Sequence, residues 1–140
     1  MILLDTNVLI YAFQPESPFE PWARQVIAEA VANEGAIIIP IILAEVCVGV
    51  SQPDQASGRI RAWGVEIVSL PAIAAPICAA AFSRYRARRS RNTGSTIAAM
   101  PLPDFSIGAH AQTISAKLAT ADTDRYLTYF PEVTLISPER

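Results

Sequence analysis

Met1-Ile2-Leu3-Leu4-Asp5-Thr6-Asn7-Val8-Leu9-Ile10 begins with an unbroken apolar run that stops at an acid. The run does not alternate, so it fits a strand covered on both faces rather than one with a wet side. Asp5 marks the strand's carboxyl end, and Val8 to Phe13 follows as a short helix capped by Thr6 or Asn7. The same signature recurs outward from this stretch. Ala36 to Ile39 is β-branched and apolar, Val65 to Leu70 and Lys117 to Thr120 read as further strands, and Val133 to Ile136 as a last one.

Helical sequence fills the spaces between these runs. Ser17-Pro18-Phe19-Glu20 has the form of a capping box, and Phe19, Trp22, Ala23, Val26, Ile27 and Ala30 continue at helical spacing to a stop at Gly35. Pro40 opens a helix that carries Glu45, Ser51 to Gly58 reads as a polar break, and Ile60 to Trp63 as a short helical piece. Ala72 to about Arg89 reads as a long alanine-rich helix, Ser90 to Pro103 as a loop, and Asp104 to Ala116 as a helix. Short apolar strands alternating with helices predict a central parallel sheet between two helical layers, an α/β/α sandwich. Residues 1–140 read as one domain of this kind, without internal repeats.

Composition narrows the function. The chain is 51% hydrophobic and 17% charged, so a packed globule is expected rather than disorder. The longest apolar run, Ala36 to Ala44, is interrupted by Pro40 and is too short to span a bilayer. The first residues lack the basic region of a signal peptide. Cys47 and Cys78 lie in apolar helical sequence and read as buried free thiols. A cytoplasmic location away from any membrane is the expectation. The net charge of -2 argues against a general nucleic-acid coat, yet Arg84, Arg86, Arg88, Arg89 and Arg91 place five of the 11 basic residues together. Such a cluster suits a solvated helix end. Arg84, Arg88 and Arg91 also share one side at helical spacing, as a phosphate-binding track would.

Asp5, Glu45, Asp104 and Asp122 each sit beside apolar sequence, far apart along the chain. Burial of an unpaired carboxylate is costly, so several such acids need a shared reason to be there. In a parallel α/β sheet, sites form outside the carboxyl ends of the strands. Asp5 and Asp122 follow strands, Glu45 lies about a turn into a helix that follows one, and Asp104 opens a helix. All four are therefore expected at one end of the sheet, where Mg²⁺ or Mn²⁺ would relieve their repulsion and permit phosphodiester chemistry. Asp5 and Asp104 are also ordinary helix caps, and Thr6 and Asn7 read as caps that serve the site by holding Asp5. Asp124 is a further acid, two residues beyond Asp122. His110 lies off the Asp104 face of its helix and is not expected to act as a base. A phosphatase of the haloacid-dehalogenase kind would want an Asp at position 7, which holds Asn7.

Leu4-Asp5-Thr6-Asn7-Val8-Leu9-Ile10, Ala44-Glu45-Val46 with Gly49, Asp104-Phe105-Ser106-Ile107-Gly108-Ala109-His110-Ala111 and Leu118-Ala119-Thr120-Ala121-Asp122 resemble, in order, the four motifs of PIN domains. The nearest resemblance is to the VapC-type ribonuclease toxins of toxin–antitoxin pairs. It implies a Mg²⁺- or Mn²⁺-dependent endoribonuclease, with Asp5, Glu45, Asp104 and Asp122 as metal-binding catalytic acids and Thr6, Asn7 and Thr120 supporting them. It also implies a homodimer, an RNA substrate and a cognate antitoxin whose tail occupies the cleft. A PIN-like docking module with an inert cleft is the alternative. The stretch from Arg91 to Pro103 departs from the resemblance by its length and irregularity.

Overall fold

A computed structural model describes residues 1–91 and 102–138. The elements are β1 (Ile2–Leu4), α1 (Thr6–Ala12), α2 (Glu20–Asn33), β2 (Ala36–Ile38), α3 (Pro40–Gly49), α4 (Pro53–Ala62), β3 (Glu66–Ile67), α5 (Ala74–Arg91), α6 (Leu102–Thr113), β4 (Lys117–Ala119), α7 (Thr123–Tyr129) and β5 (Leu135–Ile136). The strands form one sheet in the order β3-β2-β1-β4-β5, and every pairing is parallel. Leu3 is in register with Ile37 on one side and Leu118 on the other.

This order runs outward from β1 in one direction through β2 and β3, then returns to the other side of β1 through β4 and β5. Right-handed crossovers put the helices of the two halves on opposite faces. The packing agrees: α1 lies against α2 and α3, and α3 against α4, whereas α5 lies against α6 and α7. The predicted sandwich with a central parallel sheet is therefore the observed fold. Both faces of the middle strands are covered, which explains why Ile2, Leu3, Leu4, Ile37, Ile38 and Leu118 are all buried and why their sequence does not alternate.

Several boundaries differ from the sequence reading. The first helix starts at Thr6, and Asp5 rather than Thr6 or Asn7 caps it. Helix α2 starts at Glu20 without a side-chain cap. Ser17 Oγ instead accepts from the Phe19 amide at 3.2 Å, which makes Ser17 to Glu20 a turn, and Pro21 takes the first helical turn. The polar stretch from Ser51 folds into α4, because Pro53 and Asp54 suit a helix start and Ala56 and Ile60, four apart, are buried. The expected strand at Val65 to Leu70 contracts to two residues at the sheet edge. Ser90 and Arg91 extend α5, Leu102 and Pro103 open α6, and the rest of the expected loop lies outside the described residues. Helix α7 is an addition to the sequence reading, held by buried Tyr126 and Tyr129.

Geometry requires glycine at positions 35 and 108 for different reasons. Gly35 ends α2 in the left-handed region (φ 86°) and returns its amide to the Ala30 carbonyl at 2.7 Å. Gly108, in α6, is pressed against the Phe130 ring, where an added Cβ would lie 2.3 Å from the ring edge. Phe130 is fully buried between Phe105 and Tyr126, so it has little room to yield. Gly108→Ala is expected to destabilise the protein by about 1–3 kcal/mol through overpacking. Chemical denaturation measures this, and a wild-type midpoint would contradict the close approach.

Candidate active site

The strand order reverses between β1 and β4, and the crevice at such a switch point is where α/β sheets bind ligands. Asp5 stands at the end of β1 within this crevice, its amide bonded to the Ala119 carbonyl of β4 at 2.9 Å. It is 5% exposed, and its carboxylate is saturated on one oxygen. Thr120 Oγ1 (2.8 Å), Tyr126 OH (3.2 Å) and Asn7 Nδ2 (3.2 Å) all donate to Oδ2. Among the described residues, Oδ1 accepts only the Thr6 amide, at 2.8 Å. The cap therefore fixes the carboxylate while leaving Oδ1 with acceptor capacity.

The supporting residues interlock. Asn7 Oδ1 accepts from the Ala121 amide at 3.1 Å, and Thr120 Oγ1 accepts from the Asp122 amide at 3.0 Å. The segment after β4 is thus moulded onto the segment after β1. Thr6 Oγ1 donates to Glu45 Oε1 at 3.0 Å, which brings α3 to the same crevice. Asp104, in the first turn of α6, is buried, and Asp122 sits at the start of α7. Arg125 joins the last two: Nη1 donates to Asp104 Oδ2 at 2.5 Å and Nε to Asp122 Oδ2 at 2.9 Å.

Electrostatics link all four acids. The Asp104 carboxyl is raised to about 6, chiefly by burial. Arg125 pulls it down, while Asp5, Glu45 and Asp122 push it up. Burial together with three like charges thus outweighs even a short ion pair. The Asp5 carboxyl is also raised, by burial above all, against the pull of its hydrogen bonds. Tyr126 is held far above its ordinary range by burial and by the neighbouring charges of Asp5 and Asp104, so its hydroxyl remains a donor to Asp5.

Asp5, Glu45, Asp104 and Asp122 therefore come to one end of the sheet, with Thr6, Asn7 and Thr120 bonded to them. Asp124 is exposed, and Asp122 is the acid that shares Arg125 with Asp104. Sequence reasoning missed Arg125 and Tyr126. Spacing offers a signal for the first, since Arg125 lies one helical turn after Asp122. Nothing local marks Tyr126, whose partner is 121 residues away. His110 is buried, its Nδ1 has no hydrogen-bond partner among the described residues, and burial lowers its pKa. Arg84, Arg88 and Arg91 are exposed on α5, and Arg84 Nη2 donates to the Tyr129 carbonyl at 3.0 Å. Cys47 and Cys78 are free thiols, the first half-buried and the second buried. No helix among the described residues is long and apolar enough to cross a membrane.

Residues 2–131 match the PIN domain family, and the chain belongs to it. Among solved structures it is similar to a toxin–antitoxin complex from Klebsiella pneumoniae, with 25% identity, 100% of this chain and 99% of that one covered, and a TM-score of 0.65. It is also similar to FitAB bound to the IR36 DNA fragment (26% identity, 99% and 95% covered, TM-score 0.67). The fold is shared with VapC20 of Mycobacterium tuberculosis, a sarcin–ricin loop cleaving toxin (14% identity, 96% and 99% covered, TM-score 0.63). No curated protein matches the chain in sequence.

The donor set suits the hard divalent cation that the resemblance implies, since it consists of carboxylate oxygens under mutual repulsion. Its arrangement is not a closed cage. Among the described residues no three His, Cys, Asp or Glu side chains stand together as a ready-made metal site, and Arg125 lies across two of the acids.

The shift at Asp104 has a consequence for the metal-free protein. Its folded pKa of about 6 lies above the unfolded value of 3.8, so the folded state binds the proton more tightly. The resulting stability is complete below the unfolded pKa and is lost as pH rises through about 6. The unfolding free energy without metal is expected to fall across that window, by at most about 3 kcal/mol at 1.36 kcal/mol per unit. Asp104→Asn should flatten the slope. Denaturant titrations in chelator at a series of pH values measure it, and stability that rises over the window in wild type would contradict the raised carboxyl.

Proposed function

We propose that this PIN domain is a Mg²⁺- or Mn²⁺-dependent endoribonuclease of the VapC type, the toxin of a toxin–antitoxin pair acting in the cytoplasm. The observation that carries the reading is the convergence of Asp5, Glu45, Asp104 and Asp122, from four separate elements, on one crevice where each charge is felt by Asp104. Such a concentration of carboxylates destabilises the metal-free fold, and a structural role does not account for it. When bound, a divalent ion supplies charge neutralisation and lowers the pKa of a water for attack on phosphorus. The chain's own residues hold the acids for this. Asp5 presents Oδ1 from a carboxylate fixed by Thr6, Asn7, Thr120 and Tyr126. Thr6 orients Glu45, and Asp104 and Asp122 complete the donor set.

The likeness to toxin–antitoxin complexes supports a cognate antitoxin as partner. Exposed apolar side chains support association as a homodimer or with that antitoxin. Ile41, Leu70 and Leu102 line a common groove of about 450 Å³, and Val48, Ile73 and Leu127 are exposed elsewhere. A second reading, an inert docking module, draws on Arg125, which is already paired with two of the acids.

Metal dependence separates the two. RNA cleavage is expected with Mg²⁺ or Mn²⁺ and to be absent in EDTA, and Asp5→Asn or Asp104→Asn should abolish it with the fold retained. Full cleavage in chelator would refute the metal mechanism, and no cleavage of any RNA with metal would favour the inert module.

RNA also needs cations outside the acidic crevice, and Arg84, Arg88 and Arg91 are the densest supply. Each phosphate contact on a single strand contributes a slope of roughly -0.7 to the salt dependence of binding. Replacing the three arginines by Gln in a cleavage-dead Glu45→Gln background should weaken RNA binding and flatten its salt dependence. An unchanged slope would remove the cluster from the RNA interface.

A further inference from the structure

The cation that the acidic crevice already contains is its own arginine. Arg125 uses two different nitrogens to reach two acids from different elements, Asp104 of α6 and Asp122 at the start of α7. In each case it occupies the Oδ2 oxygen. Asp5 is held differently, by neutral donors that are all buried or half-buried parts of the fold: a backbone amide, an amide side chain and two hydroxyls. Those donors neutralise no charge and are built into the start of α1, the residue after β4, and α7. The Arg125 side chain is 39% exposed and on a flexible stem, so it can leave without disturbing the sheet.

We infer that Arg125 is an exchangeable internal counter-ion, which bridges Asp104 and Asp122 in the metal-free protein and is displaced from them when a divalent cation binds. The inference rests on the metal-site reading above. Its physical basis is that a guanidinium and a divalent cation cannot both sit on the same two carboxylate oxygens, because they repel and compete for the same lone pairs. The arginine lowers the cost of gathering acids before metal arrives, and it weakens metal binding by the same interaction. It is a positioning residue for Asp104 and Asp122, and it tunes affinity rather than chemistry. It also accounts for the absence of a ready-made three-carboxylate cage among the described residues: the two acids are spaced by the fork between them.

The test is Mn²⁺ binding to the full chain, free of antitoxin, followed by electron paramagnetic resonance and by calorimetry, for wild type, Arg125→Gln and Arg125→Lys. Gln removes both charge and fork, and is expected to tighten Mn²⁺ binding about tenfold, the factor that about 1.4 kcal/mol represents. Lys keeps the charge but cannot bridge two acids in a planar fork, and should fall between Gln and wild type. In chelator the Gln variant should melt below wild type, and its rise in Tm at saturating Mn²⁺ should be larger. A purely structural helix pair would lower Tm without changing Mn²⁺ affinity, so an unchanged or weaker affinity in Gln overturns the inference. Tightening in Gln with Lys equal to wild type also overturns it, since only the general field of a positive charge would then be at work. If Gln fails to fold, Lys decides alone: tighter than wild type supports the exchange, and equal or weaker refutes it. Absence of Mn²⁺ binding in every protein would refute the metal site itself, and the counter-ion exchange with it.

Discussion

The carboxylate of Asp5 is the interaction around which the whole site is built. A buried carboxylate without partners would cost several kcal/mol, roughly, and would take up a proton instead. Here four donors from three parts of the chain meet it: Thr6 and Asn7 just after β1, Thr120 just after β4, and Tyr126 in α7. The pairing of β1 with β4 supplies the backbone distance, and the carboxylate then locks the two strand ends to each other. This is a cooperative arrangement, because Thr120 and Asn7 also bond to each other and to the amides of Ala121 and Asp122. The result is a rigid floor on which the more exposed acids are placed.

That floor concentrates negative charge at one point of a nearly neutral protein. The raised carboxyls of Asp5 and Asp104 record what it costs, and burial is the largest cause in both. Two remedies are visible, and they differ in kind. Asp5 is stabilised by fixed dipoles, which keep their orientation whatever else binds. Asp104 and Asp122 are paired with a formal charge, the half-exposed Arg125. Under the proposed metal-binding role, the second arrangement suits oxygens that are offered to a cation, and the first suits the group that must not move.

The fold was legible because its signal is local. Leu3, Ile37 and Leu118 each sit in short apolar runs without alternation, and that pattern follows directly from a strand covered on both faces. The convergence of the acids was legible for a related reason, since Asp5, Asp104 and Asp122 stand at a strand end or helix start that the same pattern locates, and Glu45 lies in the helix that follows β2. What escaped the reading depends on contacts between distant segments. Tyr126 lies in a stretch to which the sequence reading assigns no element, and its role appears only when β4 lies beside β1. Arg125 had a signal in its spacing from Asp122, yet its second partner, Asp104, is 21 residues away. The first part of helix α4, up to Gly58, reads as a break because its composition is polar, but Ala56 and Ile60 suffice to seat the helix against the core. Ser17 failed as a cap because Pro18 and Phe19 fold with it into a turn before the helix starts.

The arginines of α5 show how one cluster can be divided between tasks. Arg84 reaches the Tyr129 carbonyl at the end of α7, Arg89 bonds to the Tyr85 hydroxyl and lies over its ring, and Arg86 lies over Phe82. Tyr85 in turn packs edge-on against Tyr129. Arg84 and Tyr85 fasten α5 to the helix that carries Arg125 and Tyr126, whereas the Arg86 and Arg89 contacts lie within α5 itself. A cation that caps a carbonyl still has other N–H groups to offer, so holding α7 and meeting a phosphate are compatible for Arg84. The basic face is therefore anchored to the acidic crevice through α7, and a polyanion gripping one would be held at a fixed distance from the other.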